Sequence, residues 1–375
     1  MRKFFINFLR MPVTGSLFAI FAAVIVGAII LLAAGHNPIR AYAGLFYGAV
    51  GQPRFAVQTI IASTSLILTG LSVTFAYKTG LFNIGVEGQF IIGTVAAVFL
   101  GHFLKLPPIV HPAAVMTGAM LAAGAFGAIV GFLKAKFNIH EVLSSIMLNW
   151  VAINLANLYI STERFYQEVG KAHGIQNSAS IIFLHEMKRT PEGIAQIREL
   201  GFLSEILLRT DVNFGIFIAI AAVFFAKFFL DKTSAGYALK AVGANKDAAE
   251  FAGINIKKYM VLSMFFSGAI AGLAAAVHIT GVSPNTVTLL PAFQNYGFNG
   301  IPVALLANAS VIPNIFAALL FGGMNYGAGY IQSNHGIATE IIEIMIGLIV
   351  FFVALRAVCV KIANIIERKK YGSSN

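Results

Sequence analysis

The sequence predicts an all-α polytopic membrane protein of about ten transmembrane helices, with re-entrant or broken half-helices in two related halves. Three observations carry that expectation. The 375 residues are 58% hydrophobic and 11% charged, with mean hydropathy +0.81, against roughly 45–50% apolar and 25% charged in soluble domains. At about 20 apolar residues per crossing, the length leaves room for about ten spans and one sizeable loop. Finally, Asn83-Ile-Gly-Val-Glu-Gly88 and Asn295-Tyr-Gly-Phe-Asn-Gly300 share one Asn-x-Gly-x-x-Gly spacing. Paired glycine-interrupted segments in corresponding positions of two halves point to a transport site.

Several other classes are excluded. The net charge of +11 and pI near 9.7 come from basic residues flanking apolar runs, which are orientation signals, and no nucleic-acid module is present. The single cysteine, Cys359, excludes a disulfide framework or a cysteine metal cluster. His140 has no second histidine at ligand spacing, so no metal site is expected. There are no paired carboxylates, Cys–His pair or histidine cluster for enzymatic chemistry.

Taken in order, a basic lead over residues 1–10 precedes an apolar span over 16–34, amino terminus inside. Residues 35–54 read as an amphipathic surface piece between the turns His36-Asn-Pro38 and Gly51-Gln-Pro53. A second span over 55–77 ends at Lys78, a cytoplasmic mark. A half-helix or short span over 85–100 and a turn at 105–108 lead to a span over 113–133, where Gly127 and Gly131 form a close-packing face. In the next span Glu141, Ser144, Ser145 and Asn149 recur near helical spacing and share one face.

Residues 161–211 form the one substantial polar insertion, with nearly balanced charge that suits an external location. A loop this long is either a docking surface or disordered, with short surface helices expected over 181–187 and 194–208. The span over 212–230 returns the chain to the lysine-rich stretch 231–258, which is cytoplasmic by charge. A span over 259–280 follows, carrying Gly268 and Gly272. After an external turn over 281–294 come short apolar pieces broken by Pro302, Pro313 and glycines, then a last span over 337–360 with the carboxyl terminus inside.

Polar residues in this apolar setting are the functional candidates. An ionised carboxylate at the bilayer centre costs about 2.5–3.5 kcal/mol on insertion scales, so Glu87 needs a reason. Asn83 is expected to cap a helix beginning there, with Glu87 at that helix's positive end. Irregular backbone at such depth survives only where protein buries it or it lines a wet cavity. The path candidates are Asn83, Glu87, Gln89, Asn149, Trp150, Asn295, Phe298 and Asn299. Amides pair with sugar hydroxyls or base edges, a ring such as Phe298 can stack on a base, and no basic clamp for phosphate is present. The bland reading of the same residues is helix caps and packing.

The cytoplasmic stretch adds a second candidate site. Asn245-Lys-Asp-Ala-Ala-Glu-Phe-Ala252 reads as a capped two-turn helix stopped by Gly253, and its alanines bury too little for firm membrane anchoring, so it is expected to dock on another protein. The chain has no Gly-x-x-x-x-Gly-Lys-Ser/Thr phosphate loop. Energy for uphill transport therefore comes from a partner or from an ion gradient, with Glu87 as the ion site in the latter case.

Asp247-Ala-Ala-x-x-x-Gly253 resembles the coupling loop of ABC-importer permeases. Gly80-Leu-Phe-Asn-Ile-Gly-Val-Glu-Gly-Gln89 resembles the sugar and nucleoside branch of the branched-chain-amino-acid-type permeases, a likeness that extends from Ala33–Pro38 through Glu141–Asn149 and Gly297–Leu306. The resemblance is closest to the larger permease of bacterial nucleoside importers that work with a basic-membrane-protein-type lipoprotein. It implies a type II ABC-importer fold over residues 1–375 in the bacterial plasma membrane, both termini cytoplasmic. Implied partners are a second homologous permease, an ABC ATPase, a substrate-binding lipoprotein, a nucleoside and membrane lipid. ATPase coupling falls to Gly243, Asn245, Asp247, Ala248, Ala249 and Gly253. ATP and Mg would be used by the partner, with no cofactor bound here. A ribose-like sugar is the alternative cargo.

Overall fold

The computed structural model describes residues 12–338 and 340–352, with side chains from residue 20. Helices α1 (Pro12–Ala33) and α2 (Pro38–Val50) meet at a bend of 118°. Asn37 makes the corner: its Oδ1 accepts from the Ile39 and Arg40 N–H groups at 2.9 and 3.3 Å, an N-cap just ahead of Pro38. Helices α3 (Pro53–Tyr77), α4 (Val86–Phe103), α5 (Val110–Phe137) and α6 (Glu141–Ser161) follow. A ribbon of β1 (Tyr166–Glu168) and β2 (Lys171–Ala172) and short helices α7 (Pro191–Arg198) and α8 (Phe202–Arg209) precede α9 (Gly215–Lys232). A hairpin of α10 (Ser234–Ala244) and α11 (Lys246–Phe251) leads to α12 (Ile256–Gly281). Irregular chain over 282–299 then enters α13 (Gly300–Leu306), followed by α14 (Pro313–His335) and helical residues 340–352.

Helix α3 is the centre, buried from Ser63 to Ala76 on every face, as an all-round apolar helix demands. Its hydroxyls do not break it, because several bond back one turn: Ser63 Oγ donates to Thr59 O at 2.6 Å and Thr69 Oγ1 to Ser65 O at 3.0 Å. Helix α12 packs along α5 and also against α4 and α3, while α14 packs against α2 and α3. The predicted glycine faces are where α5 meets α12. A Cβ on Gly127 would lie 2.5 Å from Met264 O, one on Gly268 2.4 Å from Ala123 O, and one on Gly272 2.3 Å from Ala119 O. Only hydrogen fits between these backbones.

Among the described residues five helices, α3, α4, α5, α6 and α12, are long and apolar enough to cross a membrane, or six if the bent α1–α2 pair is one span. That is fewer than the sequence estimate of about ten, and composition explains part of the gap. Helix α9 ends in Lys227, Asp231 and Lys232, and α14 is diluted by glycine, asparagine and tyrosine. The basic lead, Cys359 and the basic carboxyl-terminal residues lie outside the described residues.

The insertion is folded, against the disorder that its length allowed. Ala172 N donates to Val287 O at 3.0 Å, Gln176 Nε2 to His102 O at 2.6 Å, and Ile181 N to Thr280 O at 3.0 Å. These bonds pin it to the ends of α4 and α12. The helix expected over 194–208 is two helices, because Thr190 caps an earlier start at Pro191 and Gly201, at φ 58°, interrupts the run. Only a turn of 3-10 helix at Met187–Arg189 stands near the one expected over 181–187.

Candidate functional site

The two Asn-x-Gly-x-x-Gly copies sit at two breaks in the helical path. The first lies between α3 and α4, the second in the irregular chain before α13, and Glu87 joins them. Its Oε2 accepts from Gly297 N at 2.6 Å and Phe298 N at 3.1 Å, and its Oε1 from Asn295 N at 2.9 Å. The carboxylate is wholly buried, and three charge-assisted bonds compensate it. Gly297 is required for this approach, since a Cβ there would lie 2.5 Å from Glu87 Cα.

The other polar residues of the first break are equally engaged. Asn83 does not cap α4, whose N-cap is Gly85 without a side-chain bond. Instead Asn83 and Gln89 exchange amide hydrogen bonds of 2.8 and 3.2 Å, and Asn83 Nδ2 also donates to Ser267 Oγ at 2.8 Å. Ser267 in turn donates to Ser72 O at 2.7 Å, tying the break to α12 and α3. The capping role passes to Asn149 on α6. Its Oδ1 accepts from Gly88 N at 2.9 Å, one of the orphan donors of the first turn, while its Nδ2 donates to Ile84 O at 3.1 Å.

Thus Asn83, Glu87, Gln89 and Asn149 form one buried lock, and the remaining path candidates lie around it. Trp150 is 53% exposed and meets Phe293 edge to face at 4.9 Å. Phe298, half-buried, packs on the same Phe293 at 5.3 Å. Asn295 is exposed, at φ 64°, with its N–H on Glu87. Asn299 faces a cavity, a space of about 340 Å³ between α3, α12, the irregular chain and α14.

That cavity is lined by residues the sequence reading missed: Gln58 and Ser65 on α3, His278 on α12, Gln294 and Tyr296 on the irregular chain, and Asn325 and Tyr326 on α14. Tyr296 stacks on Phe90 at 5.3 Å with 20° between the rings, and His278 lies against it at 4.4 Å. One available signal was the polar residue inside an apolar run, which Gln58 and Asn325 satisfy as well as Asn83 does. Among the described residues the cavity walls carry no carboxylate, lysine or arginine. It therefore suits a neutral polar solute, and its volume falls in the range of small-molecule sites, roughly 300–1,000 Å³.

The family described as branched-chain amino acid transport system / permease component matches the chain over residues 55–354. The chain belongs to this permease family. The guanosine ABC transporter permease NupP of Bacillus subtilis is 37% identical over 90% of this chain and 92% of its own length. The nucleoside ABC transporter permease NupB of Lactococcus lactis is 35% identical over 91% and 90%. A glucose ABC transporter permease of Haloferax volcanii is more distant, 28% identical over 89% and 84%.

The permease's helical hairpin explains the remaining candidates. Asn245 caps α11, its Oδ1 accepting from Ala248 N at 3.0 Å, and Gly253 ends the motif at φ 79°. Asp247 and Ala248 face outward, whereas Ala249 turns inward and is 3% exposed. Phe251, which the sequence reading did not single out, is 97% exposed. Gly243 packs backbone to backbone on the start of the first break: a Cβ there would lie 2.2 Å from Lys78 O and 3.0 Å from Gly80 N.

Proposed function

We propose that the chain is the permease subunit of an ABC importer for nucleosides, energised by a separate ATPase. The observation that carries the reading is the pair of breaks clasped through Glu87 beside a neutral, amide-lined cavity. The guanosine permease of Bacillus subtilis and the nucleoside permease of Lactococcus lactis suggest the solute class. Sugar is the second reading, favoured by the more distant glucose permease and by the same amide-rich lining. An ion-coupled carrier is disfavoured, because Glu87 spends its oxygens on three backbone donors.

In this reading the chain crosses the membrane ten times, with both termini cytoplasmic. Beyond the five apolar helices, α1, α9, α14 and the final apolar run each make a pass. The tenth is the irregular chain with α13. The turn Ser310–Pro313 lines one cavity with Lys78, Lys227, Asp231 and Lys240, so α13 ends on the side where α3 and α9 end. Breaks of the same spacing before α4 and α13 then belong to two related halves.

Residues 161–211 face outside and receive the substrate-binding lipoprotein, and 231–258 face the cytoplasm and receive the ATPase. A second, homologous permease completes the pathway. Bacillus subtilis and Lactococcus lactis each also have a further permease that resembles this chain, NupQ at 28% and NupC at 25% identity.

Two measurements test the proposal. Cells carrying this chain with its ATPase and second permease are expected to take up labelled guanosine and uridine, and deletion of the chain is expected to abolish that uptake. Loss of ribose uptake alone would move the assignment to sugars, and loss of neither would end it. Phe251→Ala is expected to weaken ATPase co-purification about tenfold or more, as removal of a central aromatic anchor does, with the permease still monodisperse in detergent. Unchanged co-purification would remove Phe251 from the docking surface.

A further inference from the structure

The cavity's polar side chains are unspent. Elsewhere the buried amides are committed, Asn83 with Gln89, Asn149 on Gly88 and Ile84 and Asn285 on Ile279 O, while Asn314 spends its Nδ2 on Ile67 O and leaves its Oδ1 without a partner among the described residues. Around the cavity, Gln58, Asn299, Asn325, Tyr296, Tyr326 and His278 line the space. Among the described residues none of these six makes a side-chain hydrogen bond. A polar group held in an apolar helix without a protein partner costs free energy unless water or a solute supplies one. Four elements of a single chain bring these groups together.

The chemistry narrows the solute. Amide side chains offer a donor and an acceptor side by side, the pattern that pairs with the edge of a nucleobase. The Tyr296 ring, held flat on Phe90 and against His278, adds aromatic surface suited to a planar base. The absence of lysine, arginine and carboxylate from the walls among the described residues disfavours a phosphate or an amino acid zwitterion. We infer that this cavity is a nucleobase-binding station inside one permease chain, a claim that rests on the import reading above. Asn299 and Asn325 are its specificity-determining residues, and Ala62, small and partly exposed on the wall, is the place to probe it.

The test uses the assembled transporter in liposomes, with Cys359→Ser removing this chain's only native thiol, Ala62→Cys placing one at the cavity, and labelling read on this chain after its separation from the other subunits. The readout is the rate of thiol labelling by a small methanethiosulfonate reagent. With guanosine at about ten times its dissociation constant, labelling is expected to slow about tenfold, because only the free fraction reacts. Ribose and guanosine monophosphate are expected to leave the rate unchanged. Protection by ribose equal to that by guanosine would overturn the base-binding claim. An unchanged rate in guanosine, in a complex that imports guanosine, would overturn the site while leaving the import reading intact. A complex that imports no nucleoside would overturn both. Asn325→Leu supplies an independent arm: guanosine uptake at limiting substrate is expected to fall about tenfold, as loss of a hydrogen bond to a bound solute predicts. The binding of guanosine to the isolated receptor would be unaltered. Asn325→Leu uptake equal to the native rate would also count against the site.

Discussion

Glu87→Ala is expected to abolish transport and to destabilise the protein more than any other single change at the breaks. Removing the carboxylate orphans the N–H groups of Asn295, Gly297 and Phe298. Of the three bonds the one to Gly297 N is fully buried, and at roughly 1–3 kcal/mol for a buried unsatisfied group its loss alone is a sizeable part of the roughly 5–15 kcal/mol that holds a typical fold. Tyr296 lies between two of the clasped residues and Asn299 directly follows the third, so the cavity wall would go with the clasp. Glu87→Gln is the informative partner. Its carbonyl can keep Gly297 and Phe298, but its amide nitrogen would face the Asn295 N–H as a second donor. The expected order of thermal stability in detergent is native, then Gln, then Ala, with uptake following the same order. Uptake and melting of Glu87→Ala equal to native would show that the clasp does not hold the second break.

Much of the scaffold was legible because its rules are local. The glycine faces on α5 and α12 could be read from spacing alone, since only glycine permits the 2.3–2.5 Å separations that a Cβ would otherwise have to occupy. The two breaks were visible for a similar reason, as amides and an acid placed among glycines. What could not be read was which partner each polar group finds. Glu87 binds backbone 208 to 211 residues further on, and the cap of α4 comes from Asn149, 61 residues beyond Gly88. Local logic assigned that cap to Asn83, the nearest amide, whereas tertiary packing turned Asn83 toward Gln89. The cavity stayed hidden for the opposite reason. Gln58, His278 and Asn325 lie on three helices far apart in the chain, and only the packing of α3, α12 and α14 brings them together.

Gly243→Val is expected to separate ATP hydrolysis from transport. Gly243 lies in the last turn of α10, against the residues that end α3 and open the first break. A valine Cβ at 2.2 Å from Lys78 O is far inside ordinary contact, and because the obstacle is backbone the hairpin itself must move. Overpacking of this kind costs typically about 1–3 kcal/mol, enough to displace the joint without unfolding the spans. The joint matters because of what it touches. Lys78–Gly80 leads within three residues to Asn83, Asn83 pairs with Gln89 and Ser267, and Glu87 in the same turn holds the backbone around Tyr296. Each link is a hydrogen bond or a backbone contact, so a movement of α10 and α11 driven by the proposed ATPase partner would have a stiff route to the cavity wall. Spatial continuity alone does not establish coupling, and the variant supplies the missing measurement. In proteoliposomes, Gly243→Val is expected to keep its ATPase subunit and basal ATP hydrolysis while guanosine uptake falls about tenfold, a coupling of about 1.4 kcal/mol. Gly243→Ala should lie between valine and native, since it makes the same contact with fewer atoms. Native uptake by Gly243→Val would mean that the hairpin acts on the pathway through some other contact.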